Sequence, residues 1–227
     1  MTAVVLREVA GRQRLGLKGA AAPEFLRAQG LAVPEQFNHW TEVDGVLVAR
    51  LGMTEFLLEA QALTRRFAPP SPADAGEGLT PLARTKAMSL SLSGRGAGGE
   101  GKEPGALGPA SSEARIAALA TALDTQVAAS TPDLYPVLRA DYALELSGPR
   151  ANDLLQQSCN VNFAPLVRAA TESAGPLALT QMVGVSITVL PQRTAGGLVY
   201  RIWCDPSFGP YLVSTLQDIA TDINAEG

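Results

Sequence analysis

The chain has 227 residues, 46% of them hydrophobic, enough for one large domain or two small ones around a real core, and too many for a chain disordered throughout. Its 18 Lys and Arg against 22 Asp and Glu leave a formal charge of −4, so no basic field draws in a polyanion and nucleic acid is not an expected partner. The N-terminal run MTAVVLREVAGRQRLGLKG lacks the apolar core of a secretion signal, and no stretch reaches the roughly 20 apolar residues that span a bilayer; a cytoplasmic location away from membranes is expected.

The first patterned segment is LKGAAAPEFL, Leu17–Leu26. It reads as a strand, a tight exit at Gly19, and a helix whose first turn sets the small Ala22 close to the strand. Lys18-Gly19 fits neither GxGxxG nor GxxxxGK[ST], so a phosphate loop is not expected. His39 lies in the polar run PEQFNHW and is the single histidine of the chain, which leaves a Ser-His-Asp triad or a His-rich metal site little to work with. GVLVARL, Gly45–Leu51, reads as a second strand and carries Arg50; GMTEFLLEAQAL follows, with Phe56.

Residues 68–112 are rich in Gly, Pro, Ala and Ser and poor in large apolar side chains, a composition that buries too little surface to offset its ordering entropy. They read as a flexible linker or as a segment lying extended over a partner. Within them, TPLARTKAMSLSL (Thr80–Leu92) has enough apolar character to dock.

Ser111 and Ser112 are both suitable caps for a helix over Glu113–Ala129, where Ile116, Leu119, Ala120, Leu123 and Val127 recur at spacings of three and four. Thr131-Pro132 and Tyr135-Pro136 then force an extended path. The remaining chain predicts a strand at Asp141–Leu146, a helix at Arg150–Ser158, strands at Ala178–Leu190 and Leu198–Trp203, and a helix over Ser207–Ile223 begun by Asp205-Pro206.

LSGPRANDLL, Leu146–Leu155, overlays LKGAAAPEFL. Leu146 meets Leu17, Gly148 meets Gly19, Ala151 meets Ala22, and Leu154-Leu155 meet Phe25-Leu26. Continuing the overlay sets Arg201 against Arg50 and Phe208 against Phe56. The fold class expected is α+β: two diverged ferredoxin-like (split βαβ) units with antiparallel sheets. Residues 1–67 form a shortened unit, 68–112 the Gly/Pro-rich linker, and 113–227 a helix plus the complete unit. Cys159 and Cys204 have no close Cys or His neighbour in sequence and read as reduced, buried small hydrophobes, with neither a metal nor a redox motif.

GLKGAAAPEFL (16–26), VARLGMTEFLLE (48–59), LRADYALELSGPRANDLLQQSCNVNF (138–163), LTQMVGVSITVLP (179–191) and YRIWCDPSFGPYLVSTLQDI (200–219) resemble successive blocks of the γ subunit of heterotetrameric sarcosine oxidases. The resemblance covers most of the chain outside 68–112 and rests on the order of the blocks. It implies the folate-binding fold of the glycine-cleavage T-protein and of YgfZ-type proteins, which handle one-carbon units on tetrahydrofolate. It further implies a subunit with no cofactor of its own, docked on larger alpha-like and beta-like subunits that carry FAD, FMN, NAD and tetrahydrofolate.

In the T-protein the block resembling LSGPRANDLL ends in Asn-Asp and is followed by a Gly-Gly turn bearing two aspartates, one of which contacts the folate. Here the first position reads Val161-Asn162, and Thr180–Leu190 contains no carboxylate. The Lys-Gly-Cys-Tyr-x-Gly-Gln signature of YgfZ-type proteins is also missing. A neutral side chain cannot supply the charge that would stabilise an iminium-like carbon, so no catalytic residue is expected. The alternative implied by the same resemblance is a stand-alone tetrahydrofolate-binding or aminomethyltransferase-like protein.

The candidate site residues are few. Arg139 and Asp141 flank the entry to the second unit and suit an ion pair, a hold on a partner loop, or a contact with an anionic ligand such as a folate tail. Arg201, with Arg50, could clamp a carboxylate between the halves or simply reflect duplication. Trp203 and Tyr211 are the preferred interface anchors, with core filling as the other reading.

Overall fold

In the computed structural model of the protein, residues 3–61 and 111–226 are described. The expected linker lies outside the described residues as far as 110. Its last two residues open a helix instead: Ser111 accepts a hydrogen bond from the Ala114 amide at 3.2 Å, and Ser112 begins the first turn.

In chain order the elements are β1 (Val5–Glu8), β2 (Arg14–Lys18), α1 (Ala22–Ala28), β3 (His39–Val43), β4 (Val46–Arg50), β5 (Glu55–Ala60) and α2 (Ser112–Ala128). The second half continues with β6 (Tyr135–Val137), β7 (Tyr142–Ser147), α3 (Ala151–Ser158), α4 (Ala164–Ala169), β8 (Ala174–Pro176), β9 (Ala178–Met182), β10 (Val185–Thr194), β11 (Gly197–Cys204) and α5 (Gly209–Ala225). The helix expected from Arg150 is thus α3, and Asp205 stops the chain before α5 by accepting the Ser207 amide at 2.9 Å.

The strands form two antiparallel sheets. One has the order β1-β7-β11-β10-β9 and the other β6-β2-β5-β4-β3-β8. Matching β7 to β2, as the sequence overlay requires, matches β11 to β5, β10 to β4, β9 to β3 and β1 to β6. The order of these five strands is therefore the same in both sheets, and β8 adds a sixth beside β3. Each half runs strand, helix, three-stranded meander, helix, with α4 and β8 inserted ahead of the meander in the second half; the meander stands where a split βαβ unit would interleave a second helix.

Each half also donates its leading strand to the other. β1 pairs with β7, Val5 opposite Ser147, and β6 pairs with β2, Lys18 opposite Tyr135. The glycines of the overlay explain the geometry. Gly19 (φ 120°) and Gly148 (φ 107°) occupy the left-handed half of the map, and a Cβ there would lie 2.0 Å from the Asp133 carbonyl oxygen and 2.5 Å from that of Ala3. Those carbonyls accept the amides of Ala21 (3.0 Å) and Arg150 (2.9 Å), two residues past each glycine. Each incoming strand is thus seated on the strand-to-helix turn of the opposite half.

The expected strand over Ala178–Leu190 is instead a hairpin. β9 and β10 are joined by Val183-Gly184, both at positive φ (43° and 86°), at the place where Asp44-Gly45 (51° and 74°) joins β3 to β4. Asp-Gly is a known signal for such a turn; a β-branched valine is not.

The period-2 alternation of the strands separates the layers. Phe56 and Leu58 of β5, with Leu17, pack beneath α1 and α2; Leu144, Leu146, Tyr200 and Ile202 pack beneath α3 and α5. The opposite faces share a third core in which Trp40, Leu47 and Leu57 meet Ala143, Leu190 and Trp203. The result is four layers, helices outside and two sheets within, and the two flanks of 64–110 belong to one compact unit.

Candidate functional site

Two features gather polar side chains: an open trough on the β9-β10-β11 end of one sheet, and an ion cluster between the sheets. The trough has a volume of about 470 Å³. The β9–β10 register places Thr188 opposite Leu179 and Ser186 opposite Gln181, so these four point to the inner face while Ile187 and Met182 point to the helices. Its carboxylates are Asp141 and Asp205. The hydroxyl and amide of Ser186, Thr188 and Gln181 thus occupy the strands in which the resemblance directed attention to carboxylates.

This lining can hydrogen-bond a polar ligand, but it contains no activated nucleophile. Burial, with Asp205 and Asp141 nearby, pushes the Cys204 thiol up to about 11, so it stays protonated near neutrality. The Ser207 hydroxyl and amide both donate to Asp205 and hold its carboxyl below the usual range. Cys159 and Cys204 are both buried and unbridged, as the sequence suggests.

The ion cluster is centred on Glu59, which is 1% exposed. Its carboxylate accepts from Arg14 Nε at 2.7 Å, Trp203 Nε1 at 2.8 Å, Arg12 Nη1 at 3.1 Å and Arg201 Nη1 at 3.3 Å. Arg12 also donates to Glu145 at 2.7 Å, and Arg7 completes that carboxylate from the surface side. Burial alone would raise the Glu59 carboxyl, but Arg14, the Trp203 indole, Arg201 and Arg12 together bring it below its ordinary value. Glu145 is lowered likewise, Arg7 and Arg12 outweighing its burial. Burial and the neighbouring Arg12 depress Arg201. A carboxylate held ionised by several donors is a poor general acid and a poor proton acceptor, so the cluster ties the sheets together and offers no acid–base pair.

The candidate residues fall in different places. Arg139 pairs with Asp141 at 3.7 Å and with Glu55, and Asp141 lines the trough. Arg201 belongs to the ion cluster. Arg50 is far from equivalent to it: sheet order matches β4 with β10, not β11, and the Arg50 guanidinium is taken up by the carbonyls of Pro34, Glu35, Gly52 and Met53 while lying 5.7 Å over the Phe56 ring. The partner of Phe56 by register is Tyr200, since these face Leu17 and Leu146 in their sheets, and the earlier match to Phe208 is off by one strand.

Of the two aromatic anchors, Trp203 lies in the core at 2% exposure, because its indole N–H is directed to the buried Glu59; Tyr211 is 54% exposed, its hydroxyl donating to the Val183 carbonyl at 3.2 Å. His39 opens β3 with Nδ1 3.1 Å from the Phe37 carbonyl oxygen. Among the described residues no group of three or more His, Cys, Asp and Glu is disposed to hold a metal ion, and no helix is long and apolar enough to cross a membrane.

Sequence reasoning missed Arg12, Arg14, Glu59 and Glu145, which come together from three separate segments. One signal was available: a glutamate inside each of the apolar runs FLLEA and YALEL, where a charge must find partners to be buried.

No protein-family model matches the chain, and no curated protein matches it in sequence. Solved structures do match its fold. A heterotetrameric sarcosine oxidase from Corynebacterium sp. U-96, in complex with pyrrole 2-carboxylate, has a chain that aligns with a TM-score of 0.60 and 24% identity, covering 98% of this chain and 86% of that one. The glycine cleavage system aminomethyltransferase T from Bartonella henselae aligns with a TM-score of 0.50 and 13% identity over 95% of this chain, which spans only 45% of the transferase. The chain therefore has an α+β fold common to a chain of the oxidase and to part of the aminomethyltransferase, the fold that the ordered sequence blocks imply.

Proposed function

We propose that this chain is a non-catalytic, γ-like subunit of a heterotetrameric oxidase of the sarcosine oxidase type, working in tetrahydrofolate-linked one-carbon metabolism. It docks on larger alpha-like and beta-like subunits, which carry FAD, FMN, NAD and tetrahydrofolate, and binds no cofactor itself. Descent of its halves from one split βαβ unit belongs to the same reading. The observation that carries it is the reciprocal extent of the fold match: nearly the whole chain aligns with nearly the whole of one chain of such an oxidase, against less than half of the aminomethyltransferase. The side chains support it. The central carboxylate, Glu59, is saturated by three arginines and an indole, and the trough presents hydroxyls and an amide on its strands. Tyr211, with its ring exposed and its hydroxyl anchored, is the preferred interface residue.

Co-expression with the alpha and beta chains of a heterotetrameric sarcosine oxidase tests the proposal. A stable complex that oxidises an N-methyl amine, together with an isolated chain giving no heat on titration with tetrahydrofolate, is the expected result. Saturable tetrahydrofolate binding by the isolated chain would instead favour the aminomethyltransferase-like alternative, and methylene transfer by it would overturn the subunit reading.

A further inference from the structure

The two ends of the paired sheets are closed unequally. At one end β8 pairs with the outer edge of β3, Thr41 opposite Ala174, and the β10–β11 hairpin runs beyond its Pro191–Tyr200 pair as far as Thr194 and Gly197. That extension reaches the other sheet: Gln192 Nε2 donates to the Glu42 carboxylate at 3.0 Å and to the Glu172 carbonyl at 2.7 Å. At the other end lies the trough, where neither closing piece has a counterpart among the described residues. The equivalent hairpin, β4–β5, stops at the equivalent pair, Arg50 opposite Phe56, and β9, the counterpart of β3, ends its sheet with no strand beyond it.

The free edge can be located to the residue. Met182 and Val185 flank the two-residue turn Val183-Gly184 and so exchange both backbone bonds; by the alternation of an antiparallel ladder, Thr180 does the same with Ile187. The amides of Leu179, Gln181 and Val183 therefore point away from β10. Val183 donates to the Ser158 carbonyl at 2.9 Å, whereas Leu179 and Gln181 have no backbone partner on that side among the described residues. Both are exposed, Leu179 at 51%, and their side chains form the outer margin of the trough beside Ser186 and Thr188. The open stretch is as short as β8, which covers three residues of β3. Two copies of β9 joined across a twofold axis would need a longer edge. Beyond Gln181 the edge is filled by the bridge between Met182 and Cys159, and before Ala178 the buried Leu177 has its amide on the Asn38 carbonyl. The charged side chains of the trough, Asp141 and Asp205, are both negative and repel an acidic chain.

We infer that the β9 edge is the docking site for an extended segment of a larger subunit, which adds to β9 as β8 adds to β3, carries no carboxylate and sets an apolar side chain beside Leu179. The inference rests on the subunit reading and gives it a location. Amide hydrogen exchange tests it, comparing the isolated chain with the complex formed on co-expression with the alpha and beta chains of a heterotetrameric sarcosine oxidase. The amides of Leu179 and Gln181 should exchange rapidly in the isolated chain and at least tenfold more slowly in the complex. Leu179→Pro removes the outward donor without touching a bond to β10, a position where an edge strand tolerates proline, and should assemble at least tenfold more weakly; Leu179→Ala, which keeps the donor, should stay nearer to wild type. Should Leu179→Pro fail to fold, exchange in the wild-type complex decides the question. A complex in which both amides exchange as freely as in the isolated chain overturns the inference and leaves the subunit reading standing, as does undiminished assembly of a folded Leu179→Pro. Slow exchange of both amides already in the isolated chain would mean that this chain or a second copy fills the edge, and overturns it too. Failure of the three chains to assemble at all overturns both readings.

Discussion

Glu59 and Trp203 occupy the same place in the two halves and are hydrogen-bonded to each other. Phe56 faces Leu17 as Tyr200 faces Leu146, and three residues further along each strand stand Glu59 and Trp203, the indole N–H 2.8 Å from the carboxylate. Equivalent residues touch only beside the axis that relates their halves, so this contact marks that axis. One half has a carboxylate there and the other an indole, and three arginines surround the carboxylate.

Replacing Glu59 with Gln removes one of two buried negative charges while Arg12, Arg14 and Arg201 remain. Breaking a buried ion cluster from one side typically costs about 3–5 kcal/mol. Urea unfolding of Glu59→Gln should show a loss of that size, with Trp203→Phe, which removes one hydrogen bond to a charge, nearer about 2 kcal/mol. Equal midpoints for wild type and Glu59→Gln would rule out a stabilising role for the cluster.

Acid should unfold the protein through the same groups. Glu59 and Glu145 both have folded-state pKa values lowered from 4.5. Their contribution to stability is complete above the unfolded carboxyl pKa of about 4.3 and is lost as pH falls through it toward the folded values. Thermal unfolding midpoints should be level from neutrality down to about pH 5 and then fall. In Glu59→Gln the fall should be shallower.

The paired glycines differ in kind from other glycines at positive φ. Alanine at Gly19 or Gly148 collides with a carbonyl oxygen, whereas alanine at Gly30, φ 75°, meets nothing within 4 Å. Gly30→Ala should cost about 1 kcal/mol from backbone strain alone, and Gly19→Ala and Gly148→Ala clearly more. Chemical denaturation of the three variants gives the ranking; Gly30→Ala as the most damaging would contradict the seating of the exchanged strands.

Neither cysteine should react in the folded protein. Cys159 and Cys204 are 7% and 4% exposed, and burial, with Asp205 and Asp141 nearby, pushes the Cys204 thiol up to about 11. At pH 8, iodoacetamide should label both only after denaturant is added. Rapid native labelling of Cys204 would show that the trough opens further than the structure indicates.

Local signals were readable in the sequence and distant ones were not. The Leu-x-Gly-x-x-Ala overlay identified both strand-to-helix turns because it encodes a backbone requirement, φ above zero beneath a carbonyl, that only glycine meets. The same comparison slipped by one strand beyond Arg50, since GVLVARL and GLVYRIW look alike while the true partner of β11 is β5. The hairpin at Val183-Gly184 was hidden by a residue that disfavours turns. The strands β1, β6 and β8 are four, three and three residues long, too short for periodicity to register. The ion cluster depends on register between strands more than a hundred residues apart, as in the Arg12 to Glu145 bond.

The exchange of leading strands has a consequence for how the chain is made. Val5–Glu8 leaves the ribosome well before its partner Tyr142–Ser147, and the amide and carbonyl of Val4 that fasten the strand are bonded to Asn224, 220 residues later. The first half meanwhile lacks its own outer strand until Tyr135–Val137 appears. Neither sheet can close within its own stretch of sequence. Folding must therefore wait for contacts of long sequence separation, which slows it and leaves unpaired strand edges exposed during synthesis. A chain split between its halves would yield two fragments able to assemble only with each other.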